Sequence, residues 1–212
     1  MPQKTTAAAP AFQEHAHGDL ERMHAEAAEC QRCDLYRDAT QVVFGEGAGN
    51  ARVILVGEQP GDREDALGRP FVGPAGRFLD ACLEEAGIDR EACYLTNAVK
   101  HFKFKRLGKR RIHQKPNAGE VRRCAWWIGG EIERLRPKLL VALGATATFT
   151  LVGKHYAVTA DRGRIVETEI GVPLLITVHP SSLLRTRDRP EALQERARFV
   201  VELGKMKRFI DG

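Results

Sequence analysis

Short apolar runs that end at glycine or a polar turn limit what this chain can fold into. Residues 52–57 (RVILVG), 138–144 (KLLVALG) and 173–178 (PLLITV) are almost continuously apolar and rich in Val, Ile and Leu. They are too short for buried helices and lack the polar alternation of a half-solvated strand, so they read as buried, largely parallel strands. Residues 92–99 (ACYLTNAV) supply another strand. Residues 74–87 (PAGRFLDACLEEAG) carry apolar side chains at helical spacing, begin with proline and stop at glycine. Residues 120–136 and 190–210 add two amphipathic helices. Strand alternating with helix predicts an α/β protein with a doubly wound, mostly parallel central sheet.

The 212 residues suit one domain. Residues 1–17 (MPQKTTAAAPAFQEHAH) are small, polar and aperiodic, which predicts a disordered tail ahead of a domain at residues 18–212. The tail has no long apolar run of the secretion or membrane-spanning kind, so a cytoplasmic protein without membrane contact is expected. Five cysteines without an export signal favour metal, redox or core roles over disulfides. Cys82 and Cys93 lie in apolar surroundings and read as core.

Charge is concentrated in one place. Seven of the thirteen residues at 103–115 (KFKRLGKRRIHQK) are Lys or Arg. Residues 100–124 hold ten basic side chains against Glu120 alone, while the rest holds 23 basic and 27 acidic, so the whole surplus of +5 arises here. A local positive field of this kind reads as a loop contacting a polyanion, nucleic acid first, through Lys109, Arg110 and Arg111. His113 lies inside it as a candidate nucleophile or general base.

In a doubly wound sheet the ligand site lies beyond the carboxyl ends of the strands. After the first strand comes GEQPGD, where Glu58 is placed to hold or activate a reacting group beside Gln59, and then RPFVGPAG, whose Phe71 suits stacking on a flat ring. After the next strand, Asn97 offers an amide to a base edge. After the last comes HPSSLLR, in which His179, Ser181, Ser182 and Arg185 read as a DNA-penetrating loop. Cys30 and Cys33 form a CxxC; with Cys124 and, by position, His101 they suit zinc or an iron-sulfur cluster, between which spacing does not choose.

Together GEQPG, GRPFVGPAGRFL, YLTNAVK and HPSSLLR, in this order, resemble the uracil-DNA glycosylase superfamily, most closely its bacterial iron-sulfur branch, from about residue 30 onward. The resemblance implies a single-domain αβα sandwich, a four-iron four-sulfur (4Fe-4S) cluster, and uracil-containing DNA, single-stranded or duplex, as partner, with free uracil as product. His101 where the branch usually has a cysteine, Gln59 in the catalytic motif and the extra KRRIHQKP loop look like the UdgX-type branch, whose members remain covalently attached to DNA. On that resemblance Cys30, Cys33, His101 and Cys124 hold the cluster. Gln59, Phe71 and Asn97 bind uracil, His179 donates toward the departing base, Glu58 orients His113, and His113 attacks the sugar. A bacterial, nucleoid-associated monomer is expected. Rival expectations are a turnover glycosylase using water, a non-catalytic metal-stabilised DNA-binding module, and an electron-transfer protein.

Overall fold

The computed structural model describes residues 19–186 and 190–212; the expected tail at residues 1–17 lies outside the described residues. The elements in chain order are α1 (Leu20–Ala28), β1 (Glu46–Gly47), β2 (Val53–Gly57), α2 (Asp62–Leu67), α3 (Pro74–Glu85), β3 (Cys93–Asn97), β4 (Phe104–Leu107), β5 (Arg110–His113) and α4 (Ala118–Leu135). They continue with β6 (Leu139–Leu143), α5 (Ala145–Val152), α6 (Val158–Asp161), β7 (Ile165–Val166), β8 (Leu174–Thr177), α7 (Pro180–Arg185), α8 (Ala192–Gly204) and α9 (Lys207–Ile210).

The main sheet runs β1-β3-β2-β6-β8-β7. Its inner four strands are parallel, and the two-residue edge strands β1 and β7 pair antiparallel. The pleat sends successive side chains to opposite faces. Val53, Leu55, Val141 and Leu175 therefore meet Leu79 and Leu83 of α3 and Phe199 and Leu203 of α8. Ile54, Val56, Leu140 and Ile176 meet Ile128 and Ile132 of α4 and Leu151 of α5 on the other side. The result is the expected α/β sandwich with helices on both faces. Because β3 lies on one side of β2 and β6 on the other, the winding reverses beside β2, and a crevice opens at the carboxyl edge there.

Three segments differ from their sequence reading. The basic run is a hairpin rather than a loop: β4 and β5 pair antiparallel, with Phe104 opposite His113, and turn at Gly108, whose φ of 58° suits a tight two-residue connection. HPSSLLR forms the short helix α7, because Pro180 occupies its first position and His179 caps it. The helix expected over residues 190–210 divides into α8 and α9 after Gly204. Among the described residues, no helix is long and apolar enough to cross a membrane.

One ionic group is wholly interior. Lys100 Nζ lies 2.7 Å from Glu131 Oε2 and donates to Thr96, while Oε1 of Glu131 accepts from Tyr94, Thr96 and the Gly45 N–H. A buried ion pair contributes little over an apolar replacement, but removing one partner leaves a bare charge in a dry core. Lys100→Met is therefore expected to lower unfolding free energy by ~3–5 kcal/mol in denaturant titrations.

Candidate active site

The crevice is a cleft of about 1100 Å³. Its lining includes Glu58, Gln59, Phe71, Asn97, His113, His179, Ser181, Ser182 and Arg185, so the strand-end residues and the hairpin histidine share one space. Gly57 makes the floor possible: a Cβ there would lie 2.4 Å from Asn97 Oδ1 and 2.7 Å from the Phe71 ring. Phe71 itself sits at φ 56°, an uncommon conformation for a bulky residue, with its ring buried and stacked on His179 at 6.3 Å between centroids. Strain of that kind at a cleft wall is characteristic of functional sites.

Glu58 stands at the centre. Its Oε1 lies 3.3 Å from His113 Nε2, and its Oε2 accepts from the Thr146 hydroxyl. Burial pushes the carboxyl upward, but the contacts with His113 and Thr146 and the nearby imidazoles of His113 and His179 outweigh it and hold Glu58 below the usual carboxylate range. It is a carboxylate at neutral pH.

His179 is kept neutral by the opposite balance. Burial lowers its pKa to about 4, with Arg185 and His113 adding to the shift and Glu58 opposing it. The Ser181 N–H donates to its Nδ1 at 3.2 Å, and the Ser181 hydroxyl lies 2.9 Å from the same atom. Nδ1 is thus the acceptor, which leaves the proton of the neutral ring on Nε2. Arg185 donates to Ser181 Oγ at 3.2 Å, and Ser182 Oγ donates to the His179 carbonyl at 2.7 Å. Ser181, Ser182 and Arg185, the three residues of this segment expected at DNA, thus brace His179.

The hairpin is fastened by two residues that the sequence pointed elsewhere. Arg111, expected at phosphate, turns inward: Nε lies 2.5 Å from Asp62 and Nη1 2.5 Å from Asp65, with the guanidinium also over the Phe104 ring. Gln59, expected at the base, donates its amide to the Lys103 and Gln114 carbonyls at 3.2 and 3.0 Å and accepts from the Lys103 N–H at 3.1 Å. Both arrangements have one cause. A ribbon outside the main sheet needs partners, and a guanidinium and an amide supply several at once. Lys109 and Arg110 stay exposed at the hairpin tip, and His113 keeps half its side-chain surface open.

Thr146, Asp62 and Asp65 escaped the sequence reading, as did the cleft cations Arg63 and Arg77. Thr146 follows the end of β6, a strand end that the carboxyl-edge rule marks as readily as the others.

Away from the cleft, Cys30, Cys33 and Cys124 lie near enough for their charges to interact. The Lys100 N–H donates to Cys124 Sγ at 3.2 Å and the Trp127 indole N–H to Cys30 Sγ at 3.3 Å. Burial pushes the Cys124 thiol up to about 12, so it keeps its proton unless a metal replaces it. His101 is buried and held below its usual pKa by that burial, with Asp65 the charge opposing it. No group of three His, Cys, Asp or Glu side chains among the described residues could hold a metal ion as placed. Convergent thiols with N–H donors on sulfur nevertheless fit a cysteine-ligated cluster, whose ligands are spread over several irons.

Residues 44–203 match the model of the uracil DNA glycosylase superfamily. The chain is 39% identical over 184 residues to a type-4 uracil-DNA glycosylase of Thermotoga maritima, covering 86% of this chain and 90% of that protein. It is 34% identical over 203 residues to a type-4 uracil-DNA glycosylase of Pyrobaculum aerophilum, covering 91% and 98%. A type-5 uracil-DNA glycosylase of the same organism is 31% identical over 151 residues, 63% of each chain.

Two measurements check this geometry. Between pH 6.5 and about 4 the unfolded chain binds a proton at position 179 that the folded chain refuses, so His179 makes stability fall as pH falls through that window. Thermal unfolding of His179→Gln should show a shallower loss than the parent, by at most about 1.4 kcal/mol per pH unit. Arg111→Ala should free the hairpin, raising amide exchange across residues 104–113 by roughly a hundredfold.

Proposed function

The chain belongs to the uracil-DNA glycosylase superfamily, and from that footing we propose that it excises uracil from DNA and then stays bonded to the deoxyribose through His113. The observation that carries the second half is His113 Nε2 facing Glu58 at 3.3 Å on the rim of the cleft.

Cleaving the glycosidic bond places positive charge on sugar C1′ and negative charge on the departing uracil. The base must first leave its stack and enter the cleft. Phe71 offers its ring as the stacking partner, Asn97 its amide to the base edge, and neutral His179 an Nε2–H to the oxygen where negative charge grows. Uracil leaves with the bonding electron pair. The carboxylate of Glu58 stabilises the cationic sugar and accepts a hydrogen bond from the imidazole nitrogen facing it, and the other nitrogen of His113 bonds C1′. The resulting imidazolium passes a proton by way of Glu58 toward the uracil anion, which leaves as neutral uracil. An alkylated imidazole is a poor leaving group, so the adduct persists and the protein acts once.

The exposed Lys109 and Arg110 hold phosphate, with Arg63, Arg77 and Arg185 on the cleft wall. Cys30, Cys33 and Cys124, with His101 as the fourth ligand, hold a 4Fe-4S cluster. When bound, the cluster would supply a structural clip between the segment before β1 and the two ends of the hairpin segment. The unit at residues 18–212 works as a cytoplasmic monomer, taking uracil-containing DNA as partner.

A denaturing gel of the protein mixed with a uracil-containing oligonucleotide tests the reading. The parent should give a band that survives boiling. His113→Ser should lose that band yet still release uracil, because the groups acting on the base lie elsewhere and water can enter in place of the ring. A parent that releases uracil and returns unshifted would be a turnover glycosylase, and an adduct persisting in His113→Ser would assign the nucleophile to another side chain.

A further inference from the structure

Only one oxygen of Glu58 faces His113; the other accepts from the Thr146 hydroxyl. Thr146 is buried in the first turn of α5, immediately beyond Gly144. That turn is rigid: the Thr146 carbonyl accepts from Thr150 Oγ1 at 2.8 Å, and Ala147 and Leu151 are packed against the sheet. Glu58, by contrast, carries its carboxylate on a chain of three rotatable bonds, and holding one rotamer costs entropy unless a fixed partner selects it.

Two imidazoles lie within electrostatic reach of this carboxylate, His113 from β5, which faces it at 3.3 Å, and His179 from the entry to α7. They need it differently. His113 uses the negative charge as a hydrogen-bond acceptor, whereas the same charge, brought closer to His179, would favour protonation of a ring whose role requires it neutral. A donor that fixes the carboxylate on the His113 side serves both.

We propose that Thr146 is a positioning residue whose hydroxyl, carried by the rigid first turn of α5, pins one oxygen of Glu58 and so aims the other at His113. This rests on the roles given above to Glu58 and His113. Thr146 touches no reacting atom, and its effect passes through Glu58. A threonine placed only for packing would tolerate valine, which has the same shape and lacks the hydroxyl. Serine keeps the donor and removes the methyl, so the two substitutions separate hydrogen bonding from packing.

The test is a double-mutant cycle read by single-turnover uracil release and, in the same samples, adduct formation. Thr146→Val is expected to slow both by roughly tenfold or more, the loss of a hydrogen bond to a charged group. Thr146→Ser should stay within about threefold of the parent, since the donor remains. In a Glu58→Ala background, valine and threonine at position 146 should release uracil at the same rate, because the residue has nothing left to act through. A valine variant at the parent rate, a serine variant as slow as valine, or an equal valine loss without Glu58 would each overturn the proposal and leave Thr146 a packing residue. If valine prevents folding, Thr146→Ala takes its place, and if Glu58→Ala releases no measurable uracil, the comparison with serine decides. A parent that releases uracil without forming an adduct would sink the His113 assignment alone, because release is read in every sample.

Discussion

A two-stranded ribbon buries too little to hold its own shape in water, and His113 sits at the end of such a ribbon. Everything the cleft can do with that imidazole depends on tying β4 and β5 to the body. The tie is electrostatic at one point and amide-mediated at another: Arg111 reaches Asp62 and the fully buried Asp65, and Gln59 takes three backbone partners at the hairpin root. Asp65 also accepts from the Thr40 N–H and hydroxyl, so its carboxylate is satisfied and the ion pair is rigid. A buried pair of this kind is poor evidence for stability but good evidence for a fixed register. Here it fixes where the basic hairpin sits against the body.

The proposed chemistry follows from how a carboxylate and an imidazole, Glu58 and His179, are kept in different states within one cleft. Burial acts on all polar groups of the cleft in the same sense, against charge. Glu58 overcomes it through hydrogen bonds and remains ionised, whereas His179 yields to it and remains neutral. In the proposed reaction, each state suits the charge that Glu58 and His179 would face, a cationic sugar and an anionic leaving base respectively.

The far end of the hairpin segment is anchored by different means. Cys124 lies in α4 and Lys100 just beyond β3, and the Lys100 amide meets the Cys124 sulfur while its ammonium enters the Glu131 network. Phe44 and Trp127, packed edge to face, join this group to the helix carrying Cys124. The cysteines and the cleft are thus two ends of one braced segment, which fits a structural rather than chemical role for the proposed cluster.

Much of this was legible in the chain. Buried strands on both sides of a sheet must be apolar throughout, so residues 52–57, 138–144 and 173–178 declared the architecture, and the carboxyl-edge rule led to Glu58, Phe71, Asn97 and His179. The positive run was read as a polyanion contact, and its two exposed tip residues Lys109 and Arg110 remain the ones proposed for that role. Side-chain direction was not legible. Arg111 and Arg110 are neighbours of identical type, yet the strand pleat turns one inward to Asp62 and Asp65 and leaves the other in solvent. Gln59, which the resemblance assigns to uracil, lines the cleft and at the same time gives its amide to the hairpin, a pairing that no local pattern records. Thr146 meets Glu58 across 88 residues, and no local pattern records that meeting. The sequence by itself determined which residues gather at the sheet edge, because burial and periodicity act over a few residues at a time. Only the tertiary structure decided which partner each polar group takes, because that choice depends on segments far apart in the chain competing for the same atom.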